Sequence, residues 1–438
     1  MIDFKTFGCK VNTYDTGLLE ARIKSKSSES LLGESLSQPL SRKVHVLNTC
    51  AVTAEATKEA QRYIRKLHKN NPDALIVVTG CAAQVDTEHF TNMPEVGLVV
   101  ANSHKGQIED LISTALKDSN SQKVFKSNIF KKTDLEGGGG VEENHTRAFL
   151  KIQDGCNSFC TFCVIPFARG KSRSLTIDEI TLRVQTLLEG GAREVVLTGV
   201  HIGDYEYGLE NLIENILLKT RLPRLRLTSL EPVELNDRLF ELFQDPRMCP
   251  HFHMSIQSAS TKVLSAMKRK YTAAEVEWAL NAIAQRVPKA YVGMDVIAGF
   301  AEEGEVEFLE TYERLNNLPW TKIHVFPYSE RPGTYATRLT AKNDRATILR
   351  RSDRLRLLSH GRYESLAANQ VSEIKKVLIL KNGQGLSRDF WPVTFDGNES
   401  TLSANEEYRV KITGVQSSGK KAFEPVLRGE RVTNHKFL

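Results

Sequence analysis

Three cysteines fall within the stretch Gly155-Cys156-Asn157-Ser158-Phe159-Cys160-Thr161-Phe162-Cys163, a C-x3-C-x2-C spacing that puts three thiols on one short loop. A closed structural zinc site wants four ligands, usually as two C-x2-4-C pairs, and no second pair follows. Three thiolates suit a [4Fe–4S] cluster held at three of its irons, with the fourth open to a substrate or cofactor. Three incidental structural cysteines would be the alternative, but buried cysteines of that kind seldom crowd onto one loop.

A second set is dispersed. Cys9 lies in Thr6-Phe7-Gly8-Cys9-Lys10-Val11-Asn12, Cys50 follows the apolar run Val44–Asn48, and Cys81 follows Ala74–Thr79. In an open α/β sheet the loops at the C-terminal ends of strands converge on one crevice, so these three could meet in space. Taken alone they also read as buried structural cysteines or as low-pKa reactive thiols.

The elements that must position these residues divide the 438-residue chain into several domains, since one core rarely grows to that size. With 40% hydrophobic and 26% charged residues the composition is that of a soluble globular protein. No apolar run approaches eighteen residues and no signal-peptide pattern opens the chain, so a cytoplasmic, non-membrane protein is expected and the sequons at Asn144 and Asn398 carry no meaning. Seven cysteines, an odd number, suit a reducing compartment better than a disulfide framework. The net charge of +6 permits a nucleic-acid partner without demanding one.

Alternating apolar runs and helix-forming stretches predict an α/β protein. Residues 1–132 read as a doubly wound α/β domain, with strands at Val44–Asn48, Ala74–Thr79 and Gly97–Val100, helices at Ala54–Asn71 and Lys105–Lys117, and a surface loop over Ser25–Ser41. Gly137–Gly140 reads as a flexible linker. Residues 142–371 carry six strand and helix units, with strands at Ala148–Ile152, Glu194–Thr198, Arg224–Ser229, His251–Ile256, Val292–Ile297 and Lys322–Pro327. That count predicts a partial (β/α)6 barrel with functional residues at the C-terminal ends of its strands. His251 and His253 alternate with apolar neighbours and read as satisfied inward-facing residues. Lys342–Arg362 is a helical stretch with seven basic and two acidic side chains, suited to a solvated face or to RNA. Residues 372–438 contain short strands between polar turns, the pattern of a small β-barrel binding module.

Together these motifs resemble the radical S-adenosylmethionine (SAM) methylthiotransferase family, enzymes that install a CH3–S group on an unactivated carbon. Gly8-Cys9-Lys10-Val11-Asn12, Asn48-Thr49-Cys50-Ala51-Val52-Thr53 and Thr79-Gly80-Cys81 are similar to its N-terminal motifs, and Gln153–Ser174 to its central one. Leu197–His201, Ser229–Pro232, Met267–Thr272 and Val325–Ser329 extend the likeness, and the terminal barrel resembles the TRAM RNA-binding module. The resemblance implies two [4Fe–4S] clusters. One, on Cys156, Cys160 and Cys163, would bind SAM at its open iron and cleave it to a 5′-deoxyadenosyl radical. The other, auxiliary, on Cys9, Cys50 and Cys81, would carry the inserted sulfur, and a second SAM would supply the methyl group. It points to Phe162, Thr198, Gly199, Gln257 and Arg269 for SAM contacts and to no side-chain acid or base as catalyst. Implied partners are tRNA, an electron donor such as a flavodoxin or ferredoxin, and a sulfur source.

Within the family, Gln153–Cys156 and Arg169–Ser174 most resemble the enzymes acting on N6-threonylcarbamoyladenosine beside the tRNA anticodon (the MtaB type). Isopentenyladenosine and a ribosomal-protein aspartate are the family's alternative substrates. A non-catalytic Fe–S protein that binds RNA or senses redox state is the alternative from another class. The threonylcarbamoyl group carries a carboxylate, so a cation is expected in the pocket, with Arg169, Lys171 and Arg173 as candidates. Two departures from the family pattern bear on the SAM pocket: Ala259 stands where glycine is usual, and Gly299-Phe300-Ala301-Glu302-Glu303 replaces Gly-Phe-Pro-Gly-Glu.

Overall fold

A computed structural model describes residues 2–29, 42–118, 121–135, 146–395, 402–417 and 425–432. The Gly137–Gly140 linker, residues 30–41 of the expected loop, and the sequon residues Asn144 and Asn398 lie outside the described residues.

Five strands, β1 (Ile2–Thr6), β2 (Val44–Thr49), β3 (Leu75–Gly80), β4 (Leu98–Ala101) and β5 (Val124–Phe125), pair in parallel in that order. The inner strands β2, β3 and β4 are buried along their whole length, as continuous Val/Ile/Leu runs require when both faces are covered. On one face Val44, Val46, Val77 and Val100 pack with Leu19, Ile108 and Ile112. On the other Leu47, Ile76, Val78 and Val99 pack with Ala60, Ile64 and Phe90. Because the strand order is consecutive, the sheet has no topological switch point. Its crevice is made instead by three adjacent strand ends.

The expected loop over Ser25–Ser41 needs correction at its start, because a helix spans Lys10–Glu29. That helix lies between its own sheet, through Leu19, and the next domain, through Tyr14, which joins the core around Leu150. A helix covered on two sides has no single apolar stripe, so its sequence lacks the 3.6-residue signal of a surface helix. The helix expected at Lys105 starts at Ile108, with a 3-10 turn over Asn102–Gln107 leading into it.

In the middle of the chain β6 (Arg147–Asp154) is flanked by the short antiparallel β7 (Arg173–Ser174) and by β8 (Glu194–Gly199), which pairs in turn with β9 (Leu225–Leu227). The strands β10 (His251–Gln257), β11 (Tyr291–Ala298) and β12 (Lys322–Pro327) form a second parallel sheet, and a parallel bridge between Leu230 and Met254 links it to the first. Six parallel strands thus curve around one core into an open barrel, and helices Ile177–Glu189 and Ala273–Arg286 begin at the capping boxes Thr176/Glu179 and Thr272/Glu275.

The last strands, β13 (Ile374–Ile379), β14 (Gly385–Ser387), β15 (Pro392–Phe395), β16 (Glu407–Ser417) and β17 (Pro425–Arg431), close into a five-stranded barrel. It seals the N-terminal ends of the central strands. Phe390 lies tilted against His251 with ring centroids 4.2 Å apart, Trp391 meets Tyr291 at 5.5 Å, and Arg224 reaches Glu407 at 2.6 Å and the carbonyls of Leu386 and Ser387. The opposite, C-terminal ends of the central strands face the first domain.

Candidate functional site

The loop with three cysteines leaves β6 through Gly155, whose φ of +79° and whose position 2.0 Å (for an added Cβ) from the Lys171 carbonyl oxygen admit only glycine. It is pinned to the barrel by Thr161, whose hydroxyl donates to the Ala266 carbonyl at 2.8 Å and whose N–H donates to Met267 O at 3.1 Å. Phe162 packs edge-on against Phe300. Donors converge on the sulfurs: Arg269 Nη1 reaches Cys160 Sγ at 3.1 Å, and the Ser158 N–H reaches Cys156 Sγ at 3.4 Å. Arg269 is braced by Glu231 at 2.6 Å and by the Ser255 carbonyl. Burial pushes the Cys156 thiol up, but hydrogen bonds from His201 and Ser158 outweigh it and hold it below the usual range. His201 is itself held by Asp204 at 3.2 Å and by Glu234.

The second set is assembled by three neighbouring strand ends. Cys9 follows β1 by three residues, and Cys50 and Cys81 directly follow β2 and β3, where Thr49 stands in register with Gly80. Gly8, at φ +100°, comes so close to Cys50 that a Cβ there would lie 2.7 Å from the Cys50 Cβ. Asn12 ties the loops together by donating to Phe7 O at 2.8 Å and Thr49 O at 3.1 Å. Burial, with Cys81 alongside, pushes the Cys50 thiol up to about 12, and burial beside Cys160 does the same for Cys163. Thiols so placed are poor nucleophiles by themselves and suit ligands that ionise on binding metal. Both sets fit cluster ligation by their donor chemistry: soft sulfur atoms in threes, with N–H donors aimed at them.

Beside the first-domain set lies a cavity of about 630 Å3. Cys9, Cys50 and Cys81 line one wall, and Thr198, Gly199, Ser229 and Ser255, from the barrel's strand ends, line the other. Ser229 and Gln257 adopt positive φ (+58° and +63°) where β9 and β10 give way to loops.

A buried ion network joins the two halves. Asp15, on the first helix, meets Lys105 at 3.1 Å, Lys151 at 2.5 Å and Arg169 at 3.0 Å. Asp154, at the end of β6, meets Lys151 and Arg169 at 3.0 and 2.9 Å. Arg169 Nη2 also donates to Asn12 Oδ1 at 2.6 Å. Burial alone would raise the Asp15 carboxyl, but the three cations around it hold it well below the ordinary carboxylate range.

Of the residues singled out in the sequence, the structure brings Thr198, Gly199 and Arg169 to the cavity wall with the first three cysteines, and Arg269 to Cys160. Arg169 is 3% exposed and engaged with both aspartates. Lys171 is exposed and does not line the cavity. Arg173 turns its guanidinium to the carbonyls of Arg169 and Lys171 at 3.0 and 3.1 Å. His253, read as a satisfied inward residue, pairs with Asp295 at 3.2 Å and also lines the cavity. The departures from the family pattern are accommodated: Ala259 is fully buried, Glu302 takes φ +68° where glycine is usual, and Glu303 accepts the Gly299 N–H at 2.8 Å. Sequence reasoning did not single out His201, Asn12 or Asp15. The first two lie inside motifs already quoted, but Asp15 and its partner Arg169 are 154 residues apart and share no local pattern.

Residues 150–315 match the family described as Radical SAM superfamily, and residues 1–101 match the one described as Uncharacterized protein family UPF0004. The chain is 36% identical to the threonylcarbamoyladenosine tRNA methylthiotransferase MtaB of Aquifex aeolicus, over 87% of this chain and 93% of that protein. It is 33% identical to the protein of the same name from Bacillus subtilis, over 94% of each chain. A more distant relative, the tRNA-2-methylthio-N(6)-dimethylallyladenosine synthase of Lawsonia intracellularis, is 28% identical over 88% of each chain. Two sets of three cysteines, one on a sheet and one on an open barrel, in a chain related to these proteins over most of its length, have one reading: this chain belongs to the radical SAM methylthiotransferase family.

Proposed function

We propose that this protein adds a methylthio group to C2 of N6-threonylcarbamoyladenosine beside the anticodon of tRNA, with SAM and two [4Fe–4S] clusters as cofactors. The observation that carries the reading is geometric. Cys9, Cys50 and Cys81 line a cavity whose other wall is made by the strand ends of the barrel mouth, and the loop of Cys156, Cys160 and Cys163 leaves β6 at that same end, beside β8 with its Thr198 and Gly199. The names of the most similar relatives support the substrate.

A cluster on Cys156, Cys160 and Cys163 would supply the electron that cleaves SAM, and one on Cys9, Cys50 and Cys81 the sulfur to be transferred. The chain's own groups do the positioning. Arg269 and His201 neutralise charge beside the Cys160 and Cys156 sulfurs, while Thr198 and Gly199 at the end of β8, Gln257 at the end of β10 and Phe162 on the cluster loop are the groups proposed to contact SAM. The Asp15–Arg169 network fixes the spacing of the two halves. We divide the chain into residues 1–132 for the auxiliary site, 142–371 for the radical site and 372–438 for RNA binding. Among the described residues no helix is long and apolar enough to cross a membrane, and tRNA as substrate implies work in the cytoplasm. The electron comes from a donor of the flavodoxin or ferredoxin kind, and the sulfur from a separate source.

The test offers anaerobically reconstituted enzyme tRNA bearing threonylcarbamoyladenosine or isopentenyladenosine in turn, with nucleosides read by mass spectrometry. Methylthiolation of the threonylcarbamoyl form is expected. Product from the isopentenyl form alone would overturn the substrate while leaving the chemistry, and bound clusters with no SAM cleavage would favour the non-catalytic alternative.

A further inference from the structure

The cavity has a feature that neither cluster uses. Lys10 is the first residue of the helix Lys10–Glu29, directly after Cys9, and its side chain lines the cavity. Among the described residues no carboxylate lies within ion-pair distance of its ammonium. The acid on the facing wall, Asp295, is already paired with His253 at 3.2 Å. The other permanent cation lining the space, Arg169, spends its guanidinium on Asp15, Asp154 and Asn12. Lys171 and Arg173 lie outside the cavity. Lys10 is therefore the lysine or arginine of the wall whose charge remains available.

We propose that Lys10 is the carboxylate-binding subsite of the cavity and selects the adenosine whose N6 substituent ends in a carboxylate. The inference rests on the substrate reading above and names the residue that reads that substrate. A carboxylate brought into a site walled by buried strand ends loses its hydration, a cost that only a cation with directed N–H donors repays. A lysine ammonium on a four-carbon stem offers three such donors and can follow a flexible substituent. The same residue works against an isopentenyl group, which would desolvate the ammonium and give it no partner.

The experiment compares reconstituted wild-type enzyme with the Lys10→Met and Lys10→Arg variants on anticodon stem-loop RNAs. One RNA carries threonylcarbamoyladenosine, one its neutral methyl ester, and one isopentenyladenosine. Wild type should prefer the acid to the ester by roughly tenfold to a hundredfold in kcat/KM, the weight of one buried charge pair. Lys10→Met should lose that preference through KM, treating acid and ester alike, and Lys10→Arg should keep most of it. Iron content is the control for Cys9 next door. A Lys10→Met protein that retains the acid-over-ester preference overturns the proposal. So does one that loses iron, or whose KM for SAM rises instead, because Lys10 would then serve the cluster or SAM. Wild type that methylthiolates the isopentenyl RNA alone sinks the substrate reading itself. Wild type that accepts acid and ester equally sinks the subsite and leaves that reading intact.

Discussion

Replacing Cys156, Cys160 and Cys163 with alanine should leave about half of the reconstituted iron and abolish reductive cleavage of SAM, since one of two three-thiol sets is gone. Iron content equal to wild type would contradict the assignment. Replacing Cys9, Cys50 and Cys81 should instead abolish sulfur insertion while cleavage to 5′-deoxyadenosine continues, with product nucleoside and deoxyadenosine measured side by side. Full methylthio product from that triple variant would make the first-domain cysteines structural. At this scale the sequence was most informative where residue type and spacing together limit the chemistry. C-x3-C-x2-C leaves few possibilities, and a cysteine just after a buried strand is placed by the strand. It was least informative for cations. Arg169, Lys171 and Arg173 follow the cluster loop in sequence, yet one is engaged by aspartates, one is exposed and one turns back to its own loop's carbonyls.

The joint between the first helix and β6 is held by charges as well as by apolar contact. Asp15→Asn should remove the shared counter-charge of Lys105, Lys151 and Arg169 and lower stability by about 3–5 kcal/mol, the cost of breaking a buried pair. Its pH dependence has a definite sign. Asp15 and Asp154 are held below their ordinary value near 3.8, so the stability they add is complete above that pH and is lost as pH falls through their folded values. Thermal midpoints followed from neutral pH to well below 3.8 should hold for wild type down to about that value and fall beneath it, and fall less for the variant. A variant with an unchanged midpoint at neutral pH would show the network to be dispensable. The elements legible in the sequence were those with a clean period or a fully apolar run, such as β2, β3 and the helix Ala273–Arg286. The first helix was not, because it buries two faces and its polar Asn12 and Asp15 point inward to Arg169 and Lys151, far along the chain. Ser25–Glu29 read as loop by composition, but they extend a helix already set by its packing.

At the scale of the whole molecule, the two ends of the central barrel have separate tasks. The mouth faces the first domain across the cavity, and the base is closed by the terminal β-barrel through His251, Tyr291 and Arg224. That barrel is structural on its inner side, so the RNA role proposed for it belongs to its outer face. Lys376 stands opposite Arg409 across the β13–β16 pair, with Lys411 two residues further, and all three are exposed. Changing the three to glutamine should weaken tRNA binding and flatten its logarithmic salt dependence by roughly two to three units, while the thermal midpoint stays put. An unchanged salt slope would move recognition to the basic helix Arg345–Ala368. The central claim, methylthio transfer to threonylcarbamoyladenosine, is tested most directly by mass spectrometry of tRNA nucleosides from cells with and without this protein. The account predicts that 2-methylthio-N6-threonylcarbamoyladenosine disappears with the protein and its unthiolated precursor accumulates. Loss of the methylthio group from isopentenyladenosine instead, with the threonylcarbamoyl nucleosides unchanged, would contradict it.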